Sequence, residues 1–325
     1  STDGTVAVAV SHGAKIGHFP WCDDYAAARN ESLNLATVGD WILWLDADEF
    51  LQPEDRDKIR RAKQLTPDQA LQFTLVNTEG ADRTSCRQIK MFPGRDDSVR
   101  RLGLPLRHTD VRVMHTGYAD PETVARKSAY YRRLMEDWSA DHPEDLDVCF
   151  RLGHTAYVEG EKPQAIQFFD RVLNTPAPIE PRSLERHAAV FRGRCRLETG
   201  DFVAAIPDFE RALAIESGDV FAHASMGDAL TKMGEYARAR EHLLQALDGE
   251  IDGNFPLDTV LIEYSTRFFL GQCLAAMGDH AEAAKALAAA HELQPERSEA
   301  AAALRELRPS LAGKPLAASP KDRTS

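Results

Sequence analysis

The stretch WILWLDADEF, Trp41–Phe50, decides how the first part of this chain is read. Its first five residues, Trp41 to Leu45, are all large and apolar, and then Asp46, Asp48 and Glu49 place three acids in four positions. A continuous apolar run flanked by the turn pair Gly39-Asp40 predicts a buried strand over Trp41–Leu45. In an open α/β sheet, ligands gather beyond the carboxyl ends of strands, where Asp46 and Asp48 fall. Two residues apart in extended geometry, their carboxylates point to one side. Such a pair repels itself unless a cation sits between. A hard divalent ion, Mg²⁺ or Mn²⁺, is the natural partner, because it takes few carboxylates plus phosphate oxygens. A calcium loop of the EF-hand kind fails, since its sixth position would need glycine and has Leu51. An aspartyl-nucleophile phosphatase also places Asp-x-Asp after an apolar strand, but here Glu49-Phe50 follows the second aspartate in place of the usual Thr or Val. Taken alone, Asp-x-Asp reads as a strand followed by a solvated acidic turn.

The residues around this stretch mix strands and helices. Thr5–Val10 (TVAVAV) joins helical Ala to strand-forming Val and is ambiguous. Ile16–Phe19 suits a short strand. Asp24–Thr37 predicts a helix capped by Asp23 or Asp24. Leu71–Val76 and Val111–Met114 predict two more strands, and the alternation favours an α/β layer.

After about Tyr118 the pattern becomes helical and repeats. Four segments, beginning near Leu152, Arg192, Met226 and Leu270, share Gly, then Gly seven residues on, then Ala twelve residues on from the first Gly. The first glycines are Gly153, Gly193, Gly227 and Gly271, at spacings of 40, 34 and 44 residues. The second set is Gly160, Gly200, Gly234 and Gly278, and the alanines are Ala165, Ala205, Ala239 and Ala283. Small residues let two helices of a hairpin approach, and the second glycine suits the turn between them. Phe169, Phe209, Leu243 and Leu287 are expected to fill the space between neighbouring hairpins. These units resemble tetratricopeptide repeats, whose period is 34 residues, and Pro295 matches the repeat's terminal proline. Hairpins of this kind stack into a solenoid whose concave face can hold a peptide or protein partner. Packing against the front region or forming a dimer are equal alternatives. The expected division is a front region over 1–118, a linking helix over 119–144, repeats over 145–310 and a disordered tail over 311–325.

Composition limits the function classes. The 325 residues suffice for about two domains. With 39 Lys and Arg against 51 Asp and Glu, the net charge of −12 argues against a general nucleic-acid or membrane-surface binder. No apolar run approaches the roughly 18 residues of a membrane span, and no secretory signal opens the sequence. Five scattered cysteines without a CxxC argue against a disulfide framework or zinc site, so a cytoplasmic protein with reduced thiols is expected. Cys149, Cys195 and Cys273 fall in helical patterns as small core residues. The chain opens on STDGT, which is turn chemistry, so residues upstream are expected.

The order FPWCDDYAAARNESLN, Gly39-Asp40, then WILWLDADEF resembles a family 2 glycosyltransferase of the GT-A fold. STDGT resembles the end of that family's first nucleotide-binding turn, and VRVMHTGYAD resembles the segment that closes the catalytic region in members bearing tetratricopeptide repeats. The resemblance implies an incomplete GT-A region, Rossmann-like and lacking its first strand, followed by an all-α solenoid. It implies an inverting, hexosyltransferase-like transfer from a nucleotide-diphosphate sugar, UDP-linked by expectation, to a peptide, protein or glycan acceptor. Asp46 and Asp48 then match the motif that holds the metal and the diphosphate. Asp3 matches the aspartate of the first turn, Arg29 and Asn30 match a pair on the nucleotide side, and His115 matches a further metal or phosphate contact. Each has an ordinary reading beside it. Asp3 can cap a turn, Arg29 can pair with Asp23 or Asp24, Asn30 can be an exposed helix residue, and a lone His is more often a satisfied core histidine.

One departure bears on catalysis. Relatives that carry repeats are expected to place a His-Glu pair between the MFP motif and RRLGLP, but here only Gly94–Val99 intervenes. Asp96 and Asp97 are poor substitutes, and Glu49 reads better as a support for the metal motif than as the base. The rival reading is therefore a catalytically impaired relic acting as a tetratricopeptide scaffold.

Overall fold

The computed structural model describes residues 4–35, 41–65, 69–77, 85–93, 105–116, 121–176, 178–251 and 257–312. The chain forms two compact units that divide within one helix, between Lys127 and Ser128.

The first unit is built on a five-stranded sheet. Its strands are β1 (Trp41–Leu43), β2 (Glu49–Leu51), β3 (Ala70–Asn77), β4 (Ser85–Pro93) and β5 (Leu106–His115). They lie in the order β1-β4-β3-β5-β2. Among the described residues, β3 and β5 pair in parallel and the other three pairs are antiparallel. The α/β expectation holds in this mixed form. The core of this unit joins Leu71, Phe73, Met91, Val111 and Val113 of the central strands to Ala62, with Ile59 packed beside it, on helix α3 (Asp55–Leu65).

Two expectations are corrected here. Trp41–Leu45 is not a buried strand: it is extended only to Leu43, lies at the sheet edge, and leaves Leu43 and Leu45 exposed. An apolar run reports that a segment can be covered, but which strand flanks it is decided by the arrival of β4 from further along the chain. Ile16–Phe19 forms no strand. The ambiguous TVAVAV settles as helix α1 (Thr5–Ser11). Helix α2 (Tyr25–Asn34) is shorter than expected, and Asp24 caps it by accepting the Ala27 amide at 2.9 Å. The turn at Gly39-Asp40, Asp3, and Gly94–Val99 with Asp96 and Asp97 lie outside the described residues.

The second unit is helical. The linking helix α4 runs Pro121–Asp141, and its Arg132 holds Glu161 at 2.9 Å and Gln164 at 3.1 Å and also bonds Glu159. Four hairpins follow: α5 (Leu146–Val158) with α6 (Lys162–Leu173), α7 (Arg182–Glu198) with α8 (Phe202–Ile215), α9 (Val220–Lys232) with α10 (Tyr236–Asp248), and α11 (Thr259–Ala276) with α12 (His280–Leu293). A last helix, α13 (Ser298–Ala312), covers α12 and takes in the first two residues of the expected tail. The remaining tail residues lie outside the described ones.

The glycine pattern has the physical cause expected of it. A Cβ on Gly153, Gly193, Gly227 or Gly271 would come within 2.8, 2.5, 2.4 or 2.5 Å of Phe169, Phe209, Leu243 or Leu287. Those large residues therefore pack first on the glycine of their own hairpin, rather than only between hairpins; Phe169 also reaches Phe191 of the next. Gly160, Gly200, Gly234 and Gly278 all have φ between +79° and +88° at the hairpin turns, where side chains are strained. Cys149, Cys195 and Cys273 are fully buried, and burial pushes the Cys195 thiol up to about 12, so these are inert core residues.

Candidate functional site

The residues Trp44–Asp48 carry the chain from β1, at one edge of the sheet, to β2, at the other. Asp46 and Asp48 therefore do not sit on an extended strand. They belong to a turn closed by the Glu49 amide donating to the Asp46 carbonyl at 3.0 Å. The extended-strand argument for both carboxylates facing one side is corrected accordingly: the turn, not strand alternation, sets their directions.

The two acids have different neighbours. Asp48 Oδ2 lies 3.4 Å from His115 Nε2 and 3.6 Å from the Lys127 ammonium. His115 is aimed by Asn77, whose Oδ1 lies 3.0 Å from Nδ1. Register explains the meeting: Asn77 ends β3, His115 ends β5, and the two are paired with each other, while Glu49 of β2 pairs with His115 from the other side. With Nδ1–H donating to Asn77, Nε2 turns a lone pair toward the carboxylate of Asp48. The Lys127 ammonium brings positive charge to the same carboxylate oxygen.

Asp46 is turned toward the other flank. Its Oδ1 accepts from the Trp44 indole at 3.2 Å, and its Oδ2 lies 3.9 Å from Arg29. The Arg29 guanidinium lies over the Trp44 ring, 5.3 Å from its centre. Asn30 is exposed on α2. Thus, of the expected residues, His115 and Asp48 meet, and Arg29 and Asp46 meet. Among the described residues, no group of three or more His, Cys, Asp or Glu is gathered closely enough to hold an ion.

Glu49 has the firmest setting. Both its carboxylate oxygens accept from Lys90, at 2.5 and 2.7 Å, and both side chains are almost fully buried. Glu49 Oε2 also accepts the Asp46 amide at 3.0 Å. Sequence reasoning missed Lys90, Asn77, Thr116 and Lys127. Trp44 lies within the opening stretch; the others are distant in sequence, and no spacing could have joined them to it.

The sequence comparisons agree with this organisation. Residues 1–119 match the sequence model for glycosyl transferase family 2, and residues 196–250 and 225–298 match two tetratricopeptide repeat models. A family 2 glycosyltransferase region is joined here to tetratricopeptide repeats. The front region thus matches the glycosyl transferase family 2 pattern, and the repeats are of a kind suited to binding proteins. A TPR repeat-containing protein of Synechococcus elongatus is 34% identical over 239 residues, which are 66% of this chain. The chain spans 57% of that relative's length. Among solved structures, MamA 41-end from Desulfovibrio magneticus RS-1 is similar over 55% of this chain and 92% of its own, at 21% identity and a TM-score of 0.42. YrrB, described as a TPR protein with an unusual peptide-binding site, is similar over 56% of this chain and 86% of its own, at 14% identity and a TM-score of 0.43. Among the described residues, no helix is long and apolar enough to cross a membrane.

Proposed function

We propose that this glycosyltransferase region binds a nucleotide-diphosphate sugar, UDP-linked, through a divalent cation at the Asp46–Asp48 turn, and that the repeats hold the acceptor or a protein partner. The carrying observation is the chain Asn77–His115–Asp48. An imidazole whose far nitrogen is fixed by a carbonyl oxygen, with the near one facing a carboxylate, is the usual setting of a metal-ligating histidine. The donor set fits a cation that takes one or two protein oxygens and completes its shell with phosphate. The imidazole nitrogen favours Mn²⁺ over Mg²⁺. When bound, such an ion would neutralise charge on the departing diphosphate.

The protein's own residues then have distinct tasks. Asp48 and His115 are the ligands, with Asp46 able to join once Arg29 turns from it. Lys127 and Arg29, now resting against the two acids, supply positive charge for the diphosphate oxygens. Trp44 keeps Arg29 and Asp46 in place through its ring face and its indole N–H. The acceptor and the general base are left unassigned.

A second reading, the catalytically impaired scaffold, is favoured by one observation. Each acid is already faced by a cation of the protein, so the turn is electrostatically satisfied without a ligand. Calorimetric titration of UDP with and without Mn²⁺ separates the two. The transferase reading expects Mn²⁺-dependent binding that disappears in an Asp46→Ala, Asp48→Ala variant. Binding that persists unchanged in that variant removes the proposed site. A folded wild-type protein with no binding shifts the function to the repeats.

A further inference from the structure

We infer that Glu49 and Lys90 are positioning residues for the donor site: their buried pair clasps the Asp46–Asp48 turn across the sheet and holds its carboxylates outward. This rests on the donor-binding reading above and adds to it two residues that contact no ligand themselves.

The first observation is topological. Glu49 lies on β2 and Lys90 on β4, and β3 and β5 lie between those strands in the sheet. No ladder hydrogen bond can join them, so the side chains alone make the tie. The second is energetic. Removing two charges from water costs more than their attraction commonly returns, and a well-packed apolar pair would serve stability as well or better. A buried pair here therefore calls for a role other than stability.

The third observation supplies that role. Beyond the strand ladders, the bonds of the pair lead to the turn. The Lys90 carbonyl accepts the Trp44 amide at 2.7 Å, while its ammonium binds Glu49. Glu49 in turn accepts the Asp46 amide through its side chain and donates its own amide to the Asp46 carbonyl. At the far end, Thr116 donates its amide to the Asp48 carbonyl at 3.0 Å and its hydroxyl to the same oxygen at 3.2 Å. The Trp44 and Asp46 amides and the Asp46 and Asp48 carbonyls of the turn are thus anchored. The Asp46 and Asp48 side chains keep 48% and 34% of their surface open. An exposed turn would ordinarily move, and a site held 1 Å too loosely loses much of its function. The clasp prevents this.

The test compares the full chain with two variants. Glu49→Leu with Lys90→Met replaces the charges by an apolar pair and removes the acceptor for the Asp46 amide. Glu49→Gln with Lys90→Met also removes the charges but keeps an amide oxygen for it. Three quantities are measured: the thermal midpoint, hydrogen exchange at the Asp46 amide, and UDP affinity in Mn²⁺. The first variant is expected to keep the wild-type midpoint, exchange Asp46 at least about tenfold faster, and bind about tenfold more weakly, the scale of losing an outer-shell support. The second is expected to recover slow exchange and most of the affinity. Wild-type exchange and affinity in the first variant overturn the inference, as does fast exchange with unchanged affinity. Should the first variant not fold, the second decides: weak binding despite a protected Asp46 amide also overturns it. If the wild-type protein itself binds no UDP, the donor reading fails. The exchange data then still report whether the clasp holds the turn.

Discussion

In the repeats, each glycine crossing is made within about sixteen residues: Gly153 lies under Phe169, Gly193 under Phe209, Gly227 under Leu243 and Gly271 under Leu287. In the front region, the contacts that shape the site are 41 residues apart for Glu49 and Lys90, 38 for Asn77 and His115, and 68 for Asp48 and Thr116. The first arrangement repeats and tolerates inserts between its units. The second depends on one sheet closing in one order. The apolar packing of the repeats is therefore local, and the front region spends buried polar groups on geometry. The buried charges of the repeats tie both within and between hairpins: Arg192 and Arg196 bind Asp208 within one hairpin, while Arg192 also binds Asp170 and Arg186 binds Asp219 in neighbouring ones.

The comparison breaks most visibly with two large substitutions of similar cost. Phe209→Ala leaves a cavity on Gly193 and is expected to lower unfolding free energy by about 3–5 kcal/mol. Lys90→Ala strands the buried Glu49 carboxylate and is expected to cost about 3–5 kcal/mol as well. Hydrogen exchange separates them: only Lys90→Ala should speed exchange at the Asp46 amide, and equal effects from both would erase the distinction drawn here.

A pH titration gives the next largest effect, and it belongs to the repeats. His154 is partly buried among Phe150, Tyr157 and Phe191, and burial, aided by the nearby Arg151 charge, lowers it from 6.5 to about 4. Its folded value lies below its unfolded one, so its contribution is complete above pH 6.5 and is lost as the pH falls toward 4. Discounted for partial exposure, the loss is on the order of 2–3 kcal/mol. Chemical denaturation at pH 7 and pH 4.5 should show it, and His154→Phe should flatten that part of the pH dependence.

Smaller changes sharpen the contrast further. Gly193→Ala drives a methyl into the Phe209 ring and is expected to cost about 1–3 kcal/mol. Gly200→Ala meets open space but holds φ at +88°, so only backbone strain of about 1 kcal/mol is expected. A reversed order would show that the turns, not the crossings, limit hairpin packing. In the front region, Asp24→Ala removes the α2 cap for about 1 kcal/mol. Asn77→Ala should weaken Mn²⁺-dependent UDP binding by about 10- to 100-fold with little effect on the repeats.

Much of the second unit was legible residue by residue. Gly at the crossing, Gly at the turn and Ala on the second helix each report a steric need met within one hairpin, so a single sequence exposes it. The first unit was legible at its local features: the Asp24 cap, the β3 and β5 strands and the acidic turn after an apolar run. β2 and β4 were missed. β4 carries Lys90 among buried Met91 and Phe92, so its strand face shows no clean alternation, and β2 is only three residues long.

By itself, then, the sequence determined the helical hairpins, the α/β character of the front region and the presence of an acidic turn beyond an apolar strand. These follow from short-range sterics and periodic burial, which neighbouring residues settle between themselves. Only the tertiary structure decided that β1 is an edge strand, that Asn77 aims His115 at Asp48, and that Lys90 reaches across two strands to Glu49. Those outcomes depend on strand order and register, which are set by the packing of the whole sheet and leave no mark in any one stretch of the chain.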